Sequence, residues 1–369
     1  MTQAETVVIG GGPAGSAAAC GLASLQRDVV LIERTATPHH KVCGEFLSVE
    51  TQMQLRRLGV DPSALGAVPI EQVAVYSSSR SVTSGLPFSA QSLSRYRLDE
   101  ALLRRAQDTG ARMNRNVTVK SVMADGSGWN VSCDNGETIS CRNLVLATGK
   151  LGLRGVDDVR DGSLVGLKMH LQPSPEVRSA LEGRVELFFF NGGYIGLELI
   201  EDGIANLCMV LPRTTVGRFG PGWQALHRHL ASALPALAER LAGAEPLWVK
   251  PMAVVCPTSG HLHRERNTAV YRVGDRLAHI PPFTGDGLAI ALGSAALAVE
   301  HIRLGLSPDA HLAAARQLTA SPIRLASIVS RLARHSGGRN LMFGAAACAP
   351  SLIGTIIRRT RLTLGMDGL

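Results

Sequence analysis

Aromatic residues are scarce in this 369-residue chain: three Trp, four Tyr and eight Phe make up 4% of it. The formal charge is +8, but the arginines that carry it are spread along the whole sequence. A nucleic-acid surface needs basic clusters interleaved with stacking rings, so that class is excluded. C-x-x-C pairs are missing as well. The seven cysteines, Cys20, Cys43, Cys133, Cys141, Cys208, Cys256 and Cys348, form an odd set, which argues against a disulfide framework or a zinc ribbon and for a reducing cytoplasm. His39 with His40, His227 with His229 and His261 with His263 lack the spacing of metal ligands, so no metal site is expected. No G-x-S-x-G elbow supports hydrolysis.

Long apolar runs are rare too. The most membrane-like stretch, LMFGAAACAPSLIGTII at 341–357, is short for a span and contains Pro350. It reads as a C-terminal helix pair packed on the body, and Arg358, Arg359 and Arg361 behind it offer peripheral membrane contact with anionic lipid. No basic segment or cleavage site precedes ETVVIGGG, so the mature protein is expected to start here, without a signal peptide. Neither an internal repeat nor a low-complexity linker is found, so any second domain must be inserted rather than strung on.

What remains is an α/β pattern. Residues 5–10 read as a buried strand, 13–26 as a small-residue helix and 28–34 as the next strand, a β-α-β unit. SRYRLDEALLRRAQDTG at 94–110 has helical spacing of Leu98, Leu102, Leu103 and Ala106, stopped at Gly110. NVTVKSV, GWNVSCDNG and ETISCRNLVLATG follow as three strands between Gly and Asn-Gly turns. EQVAVYSSSRSVTS and RVELFFFNGGYIGLELIEDGIANLCMVL read as strands with turns, hence an antiparallel sheet. After residue 255 the nucleotide-type pattern returns. The expected fold class is α/β (α+β mixed). It comprises a Rossmann-like dinucleotide domain from 1–70, 93–165 and 255–320, an inserted antiparallel β-sheet substrate domain from 71–92 and 166–254, and C-terminal helices in 321–369.

VVIGGGPAG supplies Gly10-x-Gly12-x-x-Gly15 between a strand and a helix, with Pro13 and Ala14 inside the turn. Gly10 permits the tight turn, Gly12 lets the backbone approach a pyrophosphate, and Gly15 lets the helix pack closely on the sheet. The helix start then offers its free N–H groups to phosphate. Glu33, eighteen residues beyond Gly15, is placed to accept hydrogen bonds from a ribose, and Arg34 stands beside it. These features call for a dinucleotide without choosing between NAD and FAD.

A second glycine-rich stretch, GDRLAHIPPFTGDG, lies far away at 274–287. Here the chain resembles the flavoproteins related to geranylgeranyl reductase and FixC-type dehydrogenases, which share the p-hydroxybenzoate hydroxylase-type fold. Their late motif, G-D-A-A-G-x-x-x-P-x-x-G-[ED]-G, falls on Gly274, Asp275, Pro282, Gly285, Asp286 and Gly287 without a gap. The resemblance implies that both glycine turns hold one FAD. It implies that Asp275 bonds the ribityl chain and that the backbone from Gly285 to Leu288 points at the flavin ring. A helix N-terminus there would stabilise the anionic reduced ring by about 0.3 to 2 kcal/mol.

The resemblance continues over most of residues 5–305. It implies a FAD contact for Arg95 in SRYRLD, with Arg97 as a solvated helix residue, and a backbone contact to adenine at Val119. Thr148 and Gly149 of VLATGK lie near the cofactor, and the KVCG segment, with Lys41, Cys43 and Gly44, runs beside the isoalloxazine. Arg276, Leu277 and Ala278 depart from the usual Ala-Ala-Gly, and Arg276 becomes a candidate phosphate contact. The reductases' Y-x-W-x-F-P motif is replaced by GGYIGLELIEDG.

Asp286 is the reductase-like choice, and the W-x-W-x-I-P signature of flavin halogenases is missing. The resemblance thus implies a reductase or dehydrogenase that moves hydride between flavin N5 and a largely apolar or aromatic small substrate. The alternative is a monooxygenase using NAD(P)H and oxygen. Cys43 and Glu45 are the candidate catalytic groups, each either a proton donor or structural: Cys43 a small wall residue, Glu45 a helix-start residue. No second G-x-G-x-x-G unit exists, so electrons are expected from transient NAD(P)H contact or from an electron-donor protein.

Overall fold

A computed structural model of the chain describes residues 2–77, 80–150, 153, 162–219, 222–256, 269–349 and 351–362. In its first half the elements run β1 (Thr2–Ile9), α1 (Pro13–Ser24), β2 (Val29–Glu33), β3 (Phe46–Leu47), α2 (Val49–Arg57), β4 (Val68–Tyr76), β5 (Ser81–Ser92), α3 (Arg95–Asp108), β6 (Arg112–Arg115), β7 (Val119–Asp125), β8 (Gly128–Cys133) and β9 (Thr138–Leu146). The second half adds β10 (Leu164–Gln172), α4 (Pro175–Leu181), β11 (Gly183–Phe190), β12 (Gly193–Leu199), β13 (Ala205–Pro212), α5 (Arg213–Phe219), α6 (Trp223–Ala233), α7 (Pro235–Leu241), β14 (Glu245–Pro246), β15 (Met252–Cys256) and β16 (Tyr271–Arg272). Four helices close the chain: α8 (Gly287–Arg303), α9 (Pro308–Ala333), α10 (Ser336–Cys348) and α11 (Ser351–Thr360).

The first sheet has the order β6-β2-β1-β9-β8-β7, with β16 added to β9. β1 lies between β2 and β9, parallel to both. That position explains why Thr6, Val7, Val8 and Ile9 are all buried, because a strand covered on both faces has no solvent side. Helix α1 sits close beneath it for a steric reason: a Cβ added at Gly15 would collide with the Gly10 carbonyl oxygen. Alanine-rich α1 and α8 pack together, with Gly21 against Val299.

The second sheet, β14-β10-β13-β12-β11-β4-β5-β3 with β15 on β10, corrects one expectation. It is not wholly antiparallel: β4 and β11 pair in parallel, with Val73 opposite Val185. Between β5 and β11 the chain returns to the first sheet through α3 and β6 to β9, the long excursion that parallel neighbours need. The domain limits shift as well. Phe46–Leu47 and the start of β4 at Val68 belong to the second sheet, and so does all of β15, Met252–Cys256. Helix α9 runs through 320/321 unbroken, with Pro322 inside it and Ser307 capping its start.

The two faces of the second sheet differ. Phe188, Ile195, Leu197, Leu207 and Met209 form a core with Trp223, Leu226, Leu230 and Leu237 of α6 and α7. The alternate positions are opposite one another in register: Lys168 pairs with Cys208, Gly196 with Cys208 and Glu198 with Asn206. This second face looks toward the first sheet. Helix α11 covers its far end, where Ile353 and Ile357 pack with Ile70, Val73, Ala90 and Val185. Among the described residues no single helix is long and apolar enough to cross a membrane.

Candidate active site

The two remote glycine turns meet. A Cβ added at Gly274 would lie 3.0 Å from that of Ala14 in the first turn, and the Gly274 N–H donates to Ser294 Oγ of α8 at 2.9 Å. Both turns open into one cavity of about 900 Å³. The start of α1, at Gly12 and Ala14, and the start of α8, at Gly287 and Leu288, lie on its wall. Among the described residues neither helix start receives a side-chain cap. Two uncapped N-termini facing one space present free N–H groups to an anion.

The cavity brings together most of the residues expected from the sequence. Gly10, Gly12, Pro13, Ala14, Glu33, Arg34, Lys41, Cys43, Gly44 and Arg95 line it, as do Val119, Thr148, Gly149, Asp275, Pro282, Gly285, Gly287 and Leu288. Glu33 accepts the Gly11 N–H at 2.7 Å and both donors of Thr35. Burial pushes its carboxyl up, but the Thr35 and Gly11 hydrogen bonds outweigh that and hold it below the usual range. Arg95 makes a two-pronged bond to Asp99, at 2.6 and 2.8 Å, which fixes its guanidinium beside Gly12. Lys150, drawn up by Asp275 against the effect of burial, adds a cation to the same wall.

Several expectations need correction. Asp286 does not line the cavity, because its carboxylate pairs with Arg361 at 2.5 Å; Gly15 is off the wall as well, in the helix-packing role expected of it. Arg276 is buried off the wall and donates to the Gly149 carbonyl at 3.4 Å, so its chain approaches the protein rather than a phosphate. Arg97 is not merely solvated. It donates to the Leu65 carbonyl and pairs with Asp202 at 2.6 Å, tying α3 to the turn between β12 and β13. Arg361 is no membrane-facing charge, because it is buried over the rings of Phe46 and Phe88.

Glu45 also takes a different part. It does not start a helix; α2 begins at Val49 behind the Ser48 cap. Fully buried, it lies 2.5 Å from Lys168 Nζ and 3.1 Å from His170 Nε2, and accepts the Arg95 N–H at 2.7 Å. Burial alone would raise its carboxyl, but the Lys168 charge and the His170 bond hold it below the ordinary range. A carboxylate so held is an anchor, not an acid. His40 joins by ring contacts to His170 and Tyr96, and His170 stacks on Trp248. The ligand atoms of His40, Glu45 and His170 come within 4.8 Å of one another, yet Lys168 already meets the Glu45 charge, so the two histidines surround an existing ion pair. His261 and His263 lie outside the described residues.

Cys43 lines the cavity half-buried, and its Sγ accepts the Glu45 N–H at 3.4 Å. Sequence reasoning missed the polar groups of the second sheet, Lys168, His170, Tyr194 and Glu198, and the wall built by α10 and α11. The signal was present for two of them: Lys168 in LVGLKMHLQ and Glu198 in YIGLEL are isolated ionisable residues within apolar strands.

The residues fit FAD. Backbone at Gly12 is bare, since a Cβ added there meets only Arg95 Nη2, at 3.9 Å. The donor set suits a pyrophosphate, Glu33 suits a ribose, and the second uncapped helix start suits an electron-rich ring. Cavity size is at the large end for organic ligands.

Comparison with known proteins agrees. Menaquinone reductase from Mycobacterium tuberculosis is 26% identical over 317 residues, 81% of this chain and 76% of that protein. Its counterpart from Mycolicibacterium smegmatis is 32% identical over 155 residues, and the match spans only 38% of its length. Digeranylgeranylglycerophospholipid reductase 2 from Methanopyrus kandleri is 26% identical over 309 residues, 78% of this chain and 74% of that one. The fold is also that of the flavin-dependent brominase Bmp2, with a TM-score of 0.78 at 19% identity over 97% of this chain and 93% of that chain. Residues 4–202, more than half of the chain, match the family described as pyridine nucleotide-disulphide oxidoreductase. With a cavity built for FAD at the join of its two sheets, the chain belongs to that family and is an FAD-dependent oxidoreductase.

Proposed function

We propose that this oxidoreductase is a reductase that hydrogenates a carbon–carbon double bond of a long-chain isoprenoid lipid. The observation that carries the reading is the shape of the cavity beyond the glycine turns. Val73, Val75, Leu187, Ile353, Ile356 and Ile357 make an apolar chamber suited to a flexible hydrocarbon. The names of the mycobacterial and archaeal relatives support the same substrate class. NAD(P)H in transient contact, or a donor protein, supplies the electrons. When bound, FAD supplies hydride to the substrate. The chain's own residues bind and orient it through the two helix starts, Glu33 and Arg95, and the chamber keeps water from the reacting carbons.

Peripheral membrane contact goes with this reading. Leu332, Leu341 and Leu352 are exposed on α9, α10 and α11, the helices nearest the chamber, and Arg358 and Arg359 stand free of Arg361's buried pair. Such a face suits lipid delivery from an anionic bilayer. The test is anaerobic reduction of the FAD-loaded protein by NADPH, followed by separate addition of an isoprenoid naphthoquinone lipid and of oxygen. Direct reoxidation by the lipid, with one double bond lost per flavin, is the expected result. An oxygen-dependent peroxide-type absorbance with hydroxylated product would replace the reductase reading by a monooxygenase one.

A further inference from the structure

We propose that Glu198 is the catalytic acid of this reduction, a carboxylic acid on the cavity wall beside Cys43 that protonates one carbon of the double bond as the other receives hydride. The inference rests on the reductase reading and adds the proton source that Cys43 and Glu45 were candidates for.

The position follows from strand alternation. Tyr194, Gly196 and Glu198 fall on the cavity face of β12, and Ile195 and Leu197 on the core face. Glu198 Oε1 accepts from Asn206 Nδ2 at 2.6 Å, and the same amide nitrogen reaches the Cys43 carbonyl at 3.3 Å. That bridge places the acid next to the segment expected beside the flavin ring. Oε2 has no hydrogen-bond partner among the described residues, and Gly196 keeps the space next to it open: a Cβ there would sit 3.9 Å from Oε2. One oxygen is held and the other is aimed into the chamber.

The surroundings separate two buried carboxyls into two roles. Glu45 is ion-paired with Lys168, hydrogen-bonded to His170, and stays charged. Glu198 is only 2% exposed and has no ion pair among the described residues. Burial pushes it up to about 8 against the Asn206 bond, Glu45 adds repulsion, and Lys168 offsets part of it. Two other groups on the same wall do not compete. Burial drives the Cys208 thiol and the Tyr194 phenol above their ordinary ranges, so both hold their protons too tightly. An acid serves best when its proton is present yet removable near working pH, which is the case for Glu198.

The step balances. Hydride from the reduced cofactor brings two electrons and forms the first C–H bond; the π pair of the substrate takes the Glu198 proton to form the second. The broken O–H bond leaves its electrons on the carboxylate, which regains a proton from water after product leaves. NAD(P)H or the donor protein restores the hydride.

The test uses wild type and Glu198→Gln. Infrared difference spectra of FAD-free protein between pH 6 and pH 10 read the proton directly: beside the Asp286 component that titrates near 7, wild type should show a carboxylic-acid carbonyl band that vanishes with an apparent pKa of about 8, and E198Q should lack that band alone. In FAD-loaded protein reduced under anaerobic conditions, E198Q should accept electrons from NADPH at the wild-type rate. Its reoxidation by the isoprenoid naphthoquinone lipid should be at least about 100-fold slower, without the alkaline limb near pH 8. An absent band in wild type overturns the inference without any variant, and so does reoxidation of E198Q at the wild-type rate. If wild type itself is not reoxidised by the lipid, the reductase reading fails and takes this inference with it; the infrared band then shows whether the acid was correctly located.

Discussion

Arg361 Nη1 lies 2.5 Å from Asp286 Oδ1, so the end of α11 is locked onto the residue that opens α8, the helix whose start lines the cavity. Both groups are buried, and burial pushes Asp286 up to about 7 against the pull of Arg361. Arg361→Leu should therefore leave Asp286 protonated at neutral pH and cost about 1 to 3 kcal/mol in urea unfolding, for the lost charge-assisted hydrogen bond and the unpaired buried carboxyl. Asp286→Asn combined with Arg361→Leu should recover most of that loss. A double-mutant cycle with no coupling would remove the pair from the account.

Gly12→Ala separates folding from cofactor binding. An added methyl meets only Arg95 Nη2, at 3.9 Å, so the FAD-free variant should melt within about 2 °C of wild type. The methyl does occupy the approach to a pyrophosphate, and FAD affinity should fall at least about tenfold by titration calorimetry. Gly15→Ala is the contrast, since its methyl strikes the Gly10 carbonyl and the fold itself should suffer.

Glu45→Gln should destabilise the protein by about 3 to 5 kcal/mol, because it strands the fully buried Lys168. The pH sign follows from the lowered carboxyl. The stability it contributes is present above the ordinary Glu range and lost as pH falls through the depressed folded value. Guanidinium melts from pH 7 to pH 3 should thus show an acid-sensitive term in wild type that is absent from the variant.

Glu198 carries the opposite sign. Its folded value of about 8 exceeds the ordinary 4.5, so the native state holds the extra proton between them and stability falls as pH rises through that window. Glu198→Gln should gain a few kcal/mol relative to wild type between pH 5 and pH 8.5, measured by urea titration. An unchanged difference across that window would contradict the buried acid.

Leu341→Glu with Leu352→Glu, at exposed residues that also line the mouth of the cavity, tests the proposed lipid contact of the C-terminal helices. Both residues are exposed, so melting should shift by no more than a few degrees. Co-sedimentation with phosphatidylglycerol vesicles should drop severalfold, while phosphatidylcholine vesicles should bind neither form well.

Local physics made the cofactor half legible. Gly10, Gly12 and Gly15 sit between a strand and a helix, each for a steric reason that acts within a few residues, and Glu33 follows at the end of β2. The late turn from Gly274 to Gly287 was equally readable, although only its contact with Ala14 shows the two sharing a cavity. The parallel pairing of β4 with β11 was hidden, since each strand by itself has the alternation of either kind of sheet.

By itself the sequence determined what neighbouring residues decide: strands, helices, tight turns and the spacing of a dinucleotide fingerprint. Tertiary structure alone decided which distant charges meet. Lys168 on Glu45, Arg361 on Asp286 and Glu198 without an ion partner among the described residues come from sheet register and helix docking. Burial turns those meetings into chemistry, because in a low-dielectric interior the nearest countercharge sets whether a carboxyl is an anchor or an acid.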